Sequence, residues 1–195
     1  AREACEIEID ILGEPIGKQD QYAAAFGSIN CIRFNQDETV DVSPILLTES
    51  VRKRLEACLF LYHVGGERRS GDILYEQKNN IALDDKFQNL KKMVQLTEVL
   101  RDALHAEKTS VVGDILHKGW LYKKELATGI SNNDIDQMYE KAIKYGASGG
   151  KLLGAGGTGF LLLYDEDHDI LKEQMNCKVL PFLIDREGTK VIFYE

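Results

Sequence analysis

The sequence predicts an α+β protein, and three features carry that expectation. Segments with apolar residues at helical spacing alternate with short β-branched or aromatic runs. The chain closes on a strand, a helix and two further strands, a β-α-β-β finish with an antiparallel hairpin at its end. Its 195 residues, 44% of them hydrophobic, suffice for one substantial core or two small ones.

Taken in order, residues 1–12 put Ala4, Ile7 and Ile11 on one helical stripe, which Gly13-Glu14-Pro15 ends. Ala1-Arg2-Glu3-Ala4 already reads as helix interior, without an initiator Met or a capping residue, so the chain is expected to be cut from something longer. A second helix is expected from about Lys18 to Phe26, stopped by Gly27 in a left-handed cap. Ser28 to Phe34 and Thr39 to Val42 are short and β-branched, and the polar Asn35-Gln36-Asp37-Glu38 between them suits a hairpin. After Thr48 comes a short helical stretch, then Ala57 to Val64, a buried-strand run closed by Gly65-Gly66. A soft boundary falls near Thr48 to Leu55, giving domains 1–50 and 51–195. Ser70 to His105 reads as two helices meeting near Ala82 to Asp85, and further helices cover about Ser110 to Glu125 and Asn133 to Tyr145, the last capped through Ser131 or Asn132. The finish is strand Phe160 to Tyr164, helix Asp167 to Met175, strand Lys178 to Ile184, a turn at Asp185 to Gly188, and strand Lys190 to Tyr194.

The formal net charge of -8 argues against a general nucleic-acid or anionic-membrane surface, while leaving room for a local cationic pocket. Cys5, Cys31, Cys58 and Cys177 show no C-x-x-C spacing, and the scattered His63, His105, His117 and His168 do not complete a metal set, which reads as reduced thiols in a cytoplasmic protein. No apolar run reaches the length of a bilayer span, and no charged-then-apolar leader opens the chain.

Chemistry concentrates in two stretches. The first, Gly149 to Gly159, holds six glycines in eleven residues and contains a literal G-x-G-x-x-G at Gly154, Gly156 and Gly159. A dinucleotide fingerprint needs a strand before the glycines and a helix opening on them, whereas here a helix ending near Gly146 precedes them and the apolar run Phe160 to Tyr164 follows. A Walker loop fails as well, because no Ser or Thr follows Lys151. What remains is a backbone that can approach another backbone or a phosphate closely. The second stretch is Gly13 to Gly27, where Asp20 falls in the first turn of a helix, a position that stabilises a carboxylate with or without chemistry. Its neighbours are Gly17, which permits close ligand approach, the cation Lys18, and the two-ended amide of Gln21.

Lys151 to Phe160, K-L-L-G-A-G-G-T-G-F, resembles the third signature motif of the GHMP kinases (galactokinase, homoserine, mevalonate and phosphomevalonate kinases). The resemblance implies that Lys151, Gly154, Ala155, Gly156, Gly157 and Thr158 lie beside nucleotide phosphates. Thr158 stands where glycine is more usual, which bears on the local backbone because a β-branched residue resists positive φ. Gly17, Asp20 and Gln21 resemble the sugar-1-kinase segment whose Asp contacts the reacting hydroxyl. Further likeness lies in Asn30 with Phe34-Asn35, the loop Gly65 to Leu74, Trp120 with Lys123, and the closing G-T-K-V-I-F-Y, and it points to the branch acting on heptose 7-phosphate, with fucokinases near.

That resemblance implies the end of a ribosomal-S5-domain-2-like α/β N-terminal domain followed by a ferredoxin-like C-terminal domain. It implies ATP with Mg2+ as cofactors and transfer of the γ-phosphoryl group to the anomeric hydroxyl of heptose 7-phosphate. Asp20 is then expected to act as catalytic base, with Gly17, Lys18, Gln21 and Arg68 binding the substrate, and no metal-ligating residue is assigned. The expected partners are a small sugar phosphate, ATP and the preceding segment of its own polypeptide, which would hold the family's ATP phosphate loop, with a homodimer left open and neither nucleic acid nor membrane. A non-catalytic sugar-phosphate-binding relative and a fucokinase-like kinase are the alternative readings.

Overall fold

The computed structural model describes residues 1–65 and 70–193. The chain forms two compact units, one comprising Ala1–Leu47 with the chain from Leu183 on, the other Thr48–Phe182.

In the first unit, helix α1 (Arg2–Cys5) runs straight into a π-helical stretch, Glu6–Ile11, in which the amide of Leu12 reaches the Ile7 carbonyl at 2.9 Å. The expected helix is present, but its wider turns rotate the stripe outward. Cys5 is buried, whereas Ile7 and Ile11 are 52% and 70% exposed. Helix α2 (Gln19–Phe26) ends at Gly27, whose φ of 60° with ψ of -174° is a positive-φ exit and not the left-handed cap expected. Strands β1 (Asn30–Phe34) and β2 (Val40–Pro44) pair antiparallel with Phe34 opposite Val40. Asn35 closes their turn by donating from its amide to the Thr39 carbonyl at 2.9 Å.

The second unit opens with α3 (Glu49–Cys58), whose N-terminal amide at Val51 is taken by the Thr48 hydroxyl. There follow β3 (Leu59–Gly65), α4 (Ser70–Asn80), α5 (Asp84–His105), a 3-10 turn (Thr109–Val111), α6 (Val112–Lys124), α7 (Asn133–Lys144), β4 (Gly149–Leu152), β5 (Gly159–Tyr164), α8 (His168–Met175) and β6 (Val179–Pro181). The sheet order is β4-β5-β3-β6, antiparallel at every pairing. That is the order of a split β-α-β, ferredoxin-like unit, as the family resemblance implied. One face of α7 buries Ile135, Tyr139 and Ala142 at a spacing of one and two turns, and they join Trp120, Leu152, Leu161 and Leu163 in the core. The side chain of Asn132 caps α7 by accepting the Ile135 amide at 3.0 Å.

Two expectations are overturned. Strand β4 stands where the glycine-rich stretch was expected to follow a helix directly, with no strand between. Its glycines are needed in the strand: a Cβ at Gly149 would lie 2.0 Å from the Gly113 carbonyl oxygen of α6. The terminal hairpin, conversely, does not form. The strand expected over 178–184 is cut to three residues ending at Pro181, whose ring nitrogen has no proton for a ladder. Beyond it the Thr189 amide and hydroxyl donate to the carbonyls of Ala25 and Ala24, both at 3.2 Å, so the chain is spent on the end of α2. Residues 190–193 carry no strand, and Tyr194 lies outside the described residues. Among the described residues no helix is long and apolar enough to cross a membrane.

Candidate functional site

In the first unit, Asp20 is exposed in the first turn of α2, where free amides and the helix dipole favour its negative charge. Lys18 holds the N-cap position without a side-chain cap bond. It borders two cavities. One, of about 770 Å³, is lined by Arg2, Glu6, Asp10, Lys18, Asp37 and Glu38 among others. The other, of about 380 Å³, has Gly17, Lys18, Phe34, Asn35 and Thr39 in its wall. Asp20 and Gln21 line neither. Gln21 instead turns inward, only 7% exposed, and donates from Nε2 to Glu8 Oε2 at 2.8 Å. Its Oε1 is buried and, among the described residues, has no donor.

The larger cavity sets four carboxylates against Arg2 and Lys18, a balance that suits hydroxyl groups better than phosphate. The hairpin supplies part of that wall in fixed form. Thr39 donates to Asp37 Oδ1 from hydroxyl and amide, which holds the Asp37 carboxyl below its ordinary range, and Asn35 donates to Thr39 Oγ1 and Asp41 Oδ2 at 3.0 and 2.9 Å. In the sequence Asp37 reads as part of the polar turn and Thr39 as the start of the following strand. The only signal for them is an Asx turn, which is the same with or without a ligand. Arg68, the residue expected to meet the substrate phosphate, lies outside the described residues, as does Arg69.

In the second unit, the glycine-rich segment joins β4 to β5, so a strand does precede the glycines but no helix opens on them. Gly154, Gly156, Gly157 and Gly159 all take positive φ. Gly156 is the most constrained: at φ 120°, an added Cβ would stand 2.6 Å from Ile130 Cα and 2.7 Å from its carbonyl oxygen. Thr158 is not among the positive-φ residues, so the β-branched side chain is accommodated without that strain. Its hydroxyl donates to the Gly65 carbonyl at 2.6 Å.

The loop is braced along its length. Lys123, from the end of α6, donates to the Gly154 carbonyl at 2.6 Å. The Gly157 amide donates to the Ile130 carbonyl at 3.0 Å, and Asn132 Nδ2 reaches the Gly157 carbonyl at 3.4 Å. Ser131 and Lys124 both bind Asp136 Oδ1 at 2.9 Å, which steadies the Ile130–Asn132 segment in turn. Among the described residues the amides of Gly154, Ala155 and Gly156 have no acceptor in the protein. Three consecutive donors on a preformed loop can take an anion's oxygens. Lys151 stands on β4, half-buried, paired in register with Leu162.

Behind the loop, the Tyr139 hydroxyl donates to the Gly150 carbonyl at 3.3 Å and lies 2.8 Å from His117 Nδ1. Burial pushes the Tyr139 phenol up to about 12, so it keeps its proton and remains a donor. Trp120 is fully buried and its indole nitrogen, among the described residues, has no partner. It is a core residue, whereas its helix neighbour Lys123 belongs to the loop. Among the described residues no group of three or more His, Cys, Asp or Glu side chains is gathered to hold a metal.

Residues 100–181 match the family model described as GHMP kinases C terminal. The D-glycero-alpha-D-manno-heptose 7-phosphate kinase of Campylobacter jejuni is 32% identical over 195 residues, which cover 97% of this chain and 58% of that protein. The bifunctional fucokinase/GDP-fucose pyrophosphorylase of Arabidopsis thaliana is 31% identical over 140 residues, 69% of this chain and 13% of that one. Among solved structures, a D-glycero-D-manno-heptose 1-phosphate kinase from Bacteriodes thetaiotaomicron superposes with a TM-score of 0.68 at 27% identity, over 98% of this chain and 55% of that chain. This chain thus spans little more than half the length of the heptose phosphate kinases it matches.

Proposed function

We propose, from the premise that this chain carries a GHMP kinase C-terminal domain, that it is part of a sugar kinase which moves the γ-phosphoryl group of ATP to the anomeric hydroxyl of D-glycero-D-manno-heptose 7-phosphate. The observation that carries the reading is the glycine-rich loop, whose amides at Gly154, Ala155 and Gly156 have no acceptor among the described residues. Donors left open on a braced loop are available to an anion's oxygens. The relative named as a heptose 7-phosphate kinase aligns with nearly the whole chain, which supports that sugar phosphate as the acceptor.

In this reading the loop amides hold the nucleotide phosphates, with Lys151 adding positive charge from β4. Asp20, solvent-facing in the first turn of α2, orients the sugar's C1 hydroxyl and accepts its proton as the oxygen attacks the terminal phosphorus, while ADP leaves. Gly17 and Lys18 shape the sugar pocket from the start of α2, and Arg68 takes the 7-phosphate through its guanidinium fork. Gln21 contributes through packing: its amide is bonded to Glu8, and its role is to hold α2. Magnesium arrives on the nucleotide, where it neutralises phosphate charge, and no protein ligand is assigned to it.

The two heptose kinases that resemble this chain bear names that differ in the phosphate carried, 7-phosphate in one and 1-phosphate in the other, and a fucokinase is also similar. The test is therefore a panel on the full-length gene product: heptose 7-phosphate, heptose 1-phosphate, unphosphorylated heptose and fucose, each with ATP and Mg2+. Phosphoryl transfer to heptose 7-phosphate, with the product resistant to reducing-end reagents, is the expected result. Transfer to fucose in preference, or ligand binding with no transfer to any sugar, overturns the proposal.

A further inference from the structure

We infer that Lys123 is a positioning residue for the phosphate site: it turns and polarises the Gly154–Ala155 peptide so that the Ala155 amide faces a bound phosphate. The inference rests on the reading that this loop takes nucleotide phosphates. Lys123 is the penultimate residue of α6, thirty-one positions before Gly154, and its ammonium meets the Gly154 carbonyl at 2.6 Å. In a trans peptide the carbonyl and the following N–H point in opposite directions. Fixing the Gly154 oxygen toward the ammonium therefore aims the Ala155 N–H away from it, to the side where, among the described residues, no protein acceptor stands. A cation on the carbonyl also withdraws density from the peptide, which strengthens its N–H as a donor.

Nothing about local helix physics sends Lys123 there. Lysines in a last turn ordinarily serve their own helix's carbonyls. Adjacent Lys124 goes to Asp136 at 2.9 Å, so two neighbouring cations are directed to different tasks, one bracing the Ile130–Asn132 segment and the other the loop itself. Gly154 has positive φ and nothing within 4 Å of an added Cβ, so no close packing at that position fixes the backbone there. The Lys123 bond holds it.

The experiment is equilibrium titration of the full-length protein with ADP, a non-hydrolysable Mg·ATP analogue and adenosine, for wild type, Lys123→Met, Lys123→Arg and Gly154→Asp. Asp tolerates the left-handed backbone at 154 and sets a carboxylate at the loop, so it reports on the loop itself. Lys123→Met is expected to weaken the two phosphorylated ligands about tenfold, the worth of one charge-assisted hydrogen bond, and adenosine by less than about twofold, with Lys123→Arg restoring most of the loss. If Lys123→Met binds ADP as wild type does while Gly154→Asp abolishes binding, the Lys123 inference falls and the loop reading stands. Equal losses for adenosine and ADP reduce Lys123 to a structural prop and also overturn the inference. Wild-type affinity retained in Gly154→Asp, or no nucleotide binding by the wild type, removes the loop reading itself.

Discussion

Replacing Gly156 by alanine isolates why the loop is made of glycine. The new Cβ would meet the Ile130 backbone at 2.6–2.7 Å, and backbone, unlike a side-chain tip, cannot swing aside. Separating the two segments breaks the bond from the Gly157 amide to the Ile130 carbonyl, now 3.0 Å. Alanine at φ 120° also costs about 1–3 kcal/mol in backbone strain, and the lost hydrogen bond roughly 0.5–1.5 kcal/mol, so the destabilisation is about 1.5–4.5 kcal/mol. Gly154→Ala is the control, because φ there is 74° with open space around an added Cβ, and only the left-handed penalty of about 1–2 kcal/mol applies. Urea unfolding followed by the fluorescence of Trp120 reads the right unit, since it is the single tryptophan and is fully buried in that core. Equal unfolding midpoints for the two variants would falsify the claim that close approach to Ile130, beyond positive φ, demands glycine at 156.

Four further outcomes are expected. His168 is buried with Nε2 at 2.8 Å from the Cys58 carbonyl, which can only accept, so that nitrogen carries the proton and Nδ1 accepts from the Tyr62 hydroxyl at 2.9 Å. Burial holds its pKa below the ordinary value, so the unfolded chain takes up the proton first: stability is full above about pH 6.5 and falls below it by up to ~1.4 kcal/mol per pH unit. His168→Gln should flatten the fall of the urea midpoint below about pH 6.5, and an unchanged slope would exclude His168 as its source. Tyr139→Phe removes the hydroxyl between His117 and Gly150 and should cost about 1–2 kcal/mol in the same fluorescence assay, whereas no loss would mean that the hydroxyl contributes nothing to holding β4. Asp20→Asn in the full-length enzyme should lower kcat by about 10²–10⁴-fold with the circular dichroism unchanged, and near-normal turnover takes Asp20 out of the base role. Arg68→Ala should raise the KM for heptose 7-phosphate about tenfold or more and leave that for ATP alone; an unmoved sugar-phosphate KM ends the assignment.

Much of this architecture can be read from the residues because it rests on local rules. Helix α7 is legible since Asn132 caps it and Ile135, Tyr139 and Ala142 recur at one-turn spacing. The β1–β2 hairpin is legible from β-branched runs flanking a polar turn, and the loop was singled out because six glycines in eleven residues carry an entropic cost that needs a reason. What stayed hidden depends on neighbours distant in sequence. Strand β4 begins with glycines because α6 presses its Gly113 carbonyl against them, a contact thirty-six positions apart that no local propensity encodes. The terminal strand, by contrast, has good β-propensity in Val191, Ile192 and Phe193, yet its lead-in at Thr189 is held by carbonyls of α2.

The site divides in the same way. The helix-start position of Asp20 and the glycine-rich loop could be noticed from residue type and spacing, because dipole placement and positive φ are properties of short segments, while their proposed roles came from the family resemblance. That Gln21 faces Glu8 while Asp37 and Thr39 wall the cavity, and that Lys123 and not its neighbour Lys124 holds the loop, was decided only by the tertiary structure. A side chain's chemistry is written in its own letter, but its partner is chosen by how helices and strands pack, and that packing is a property of the whole core.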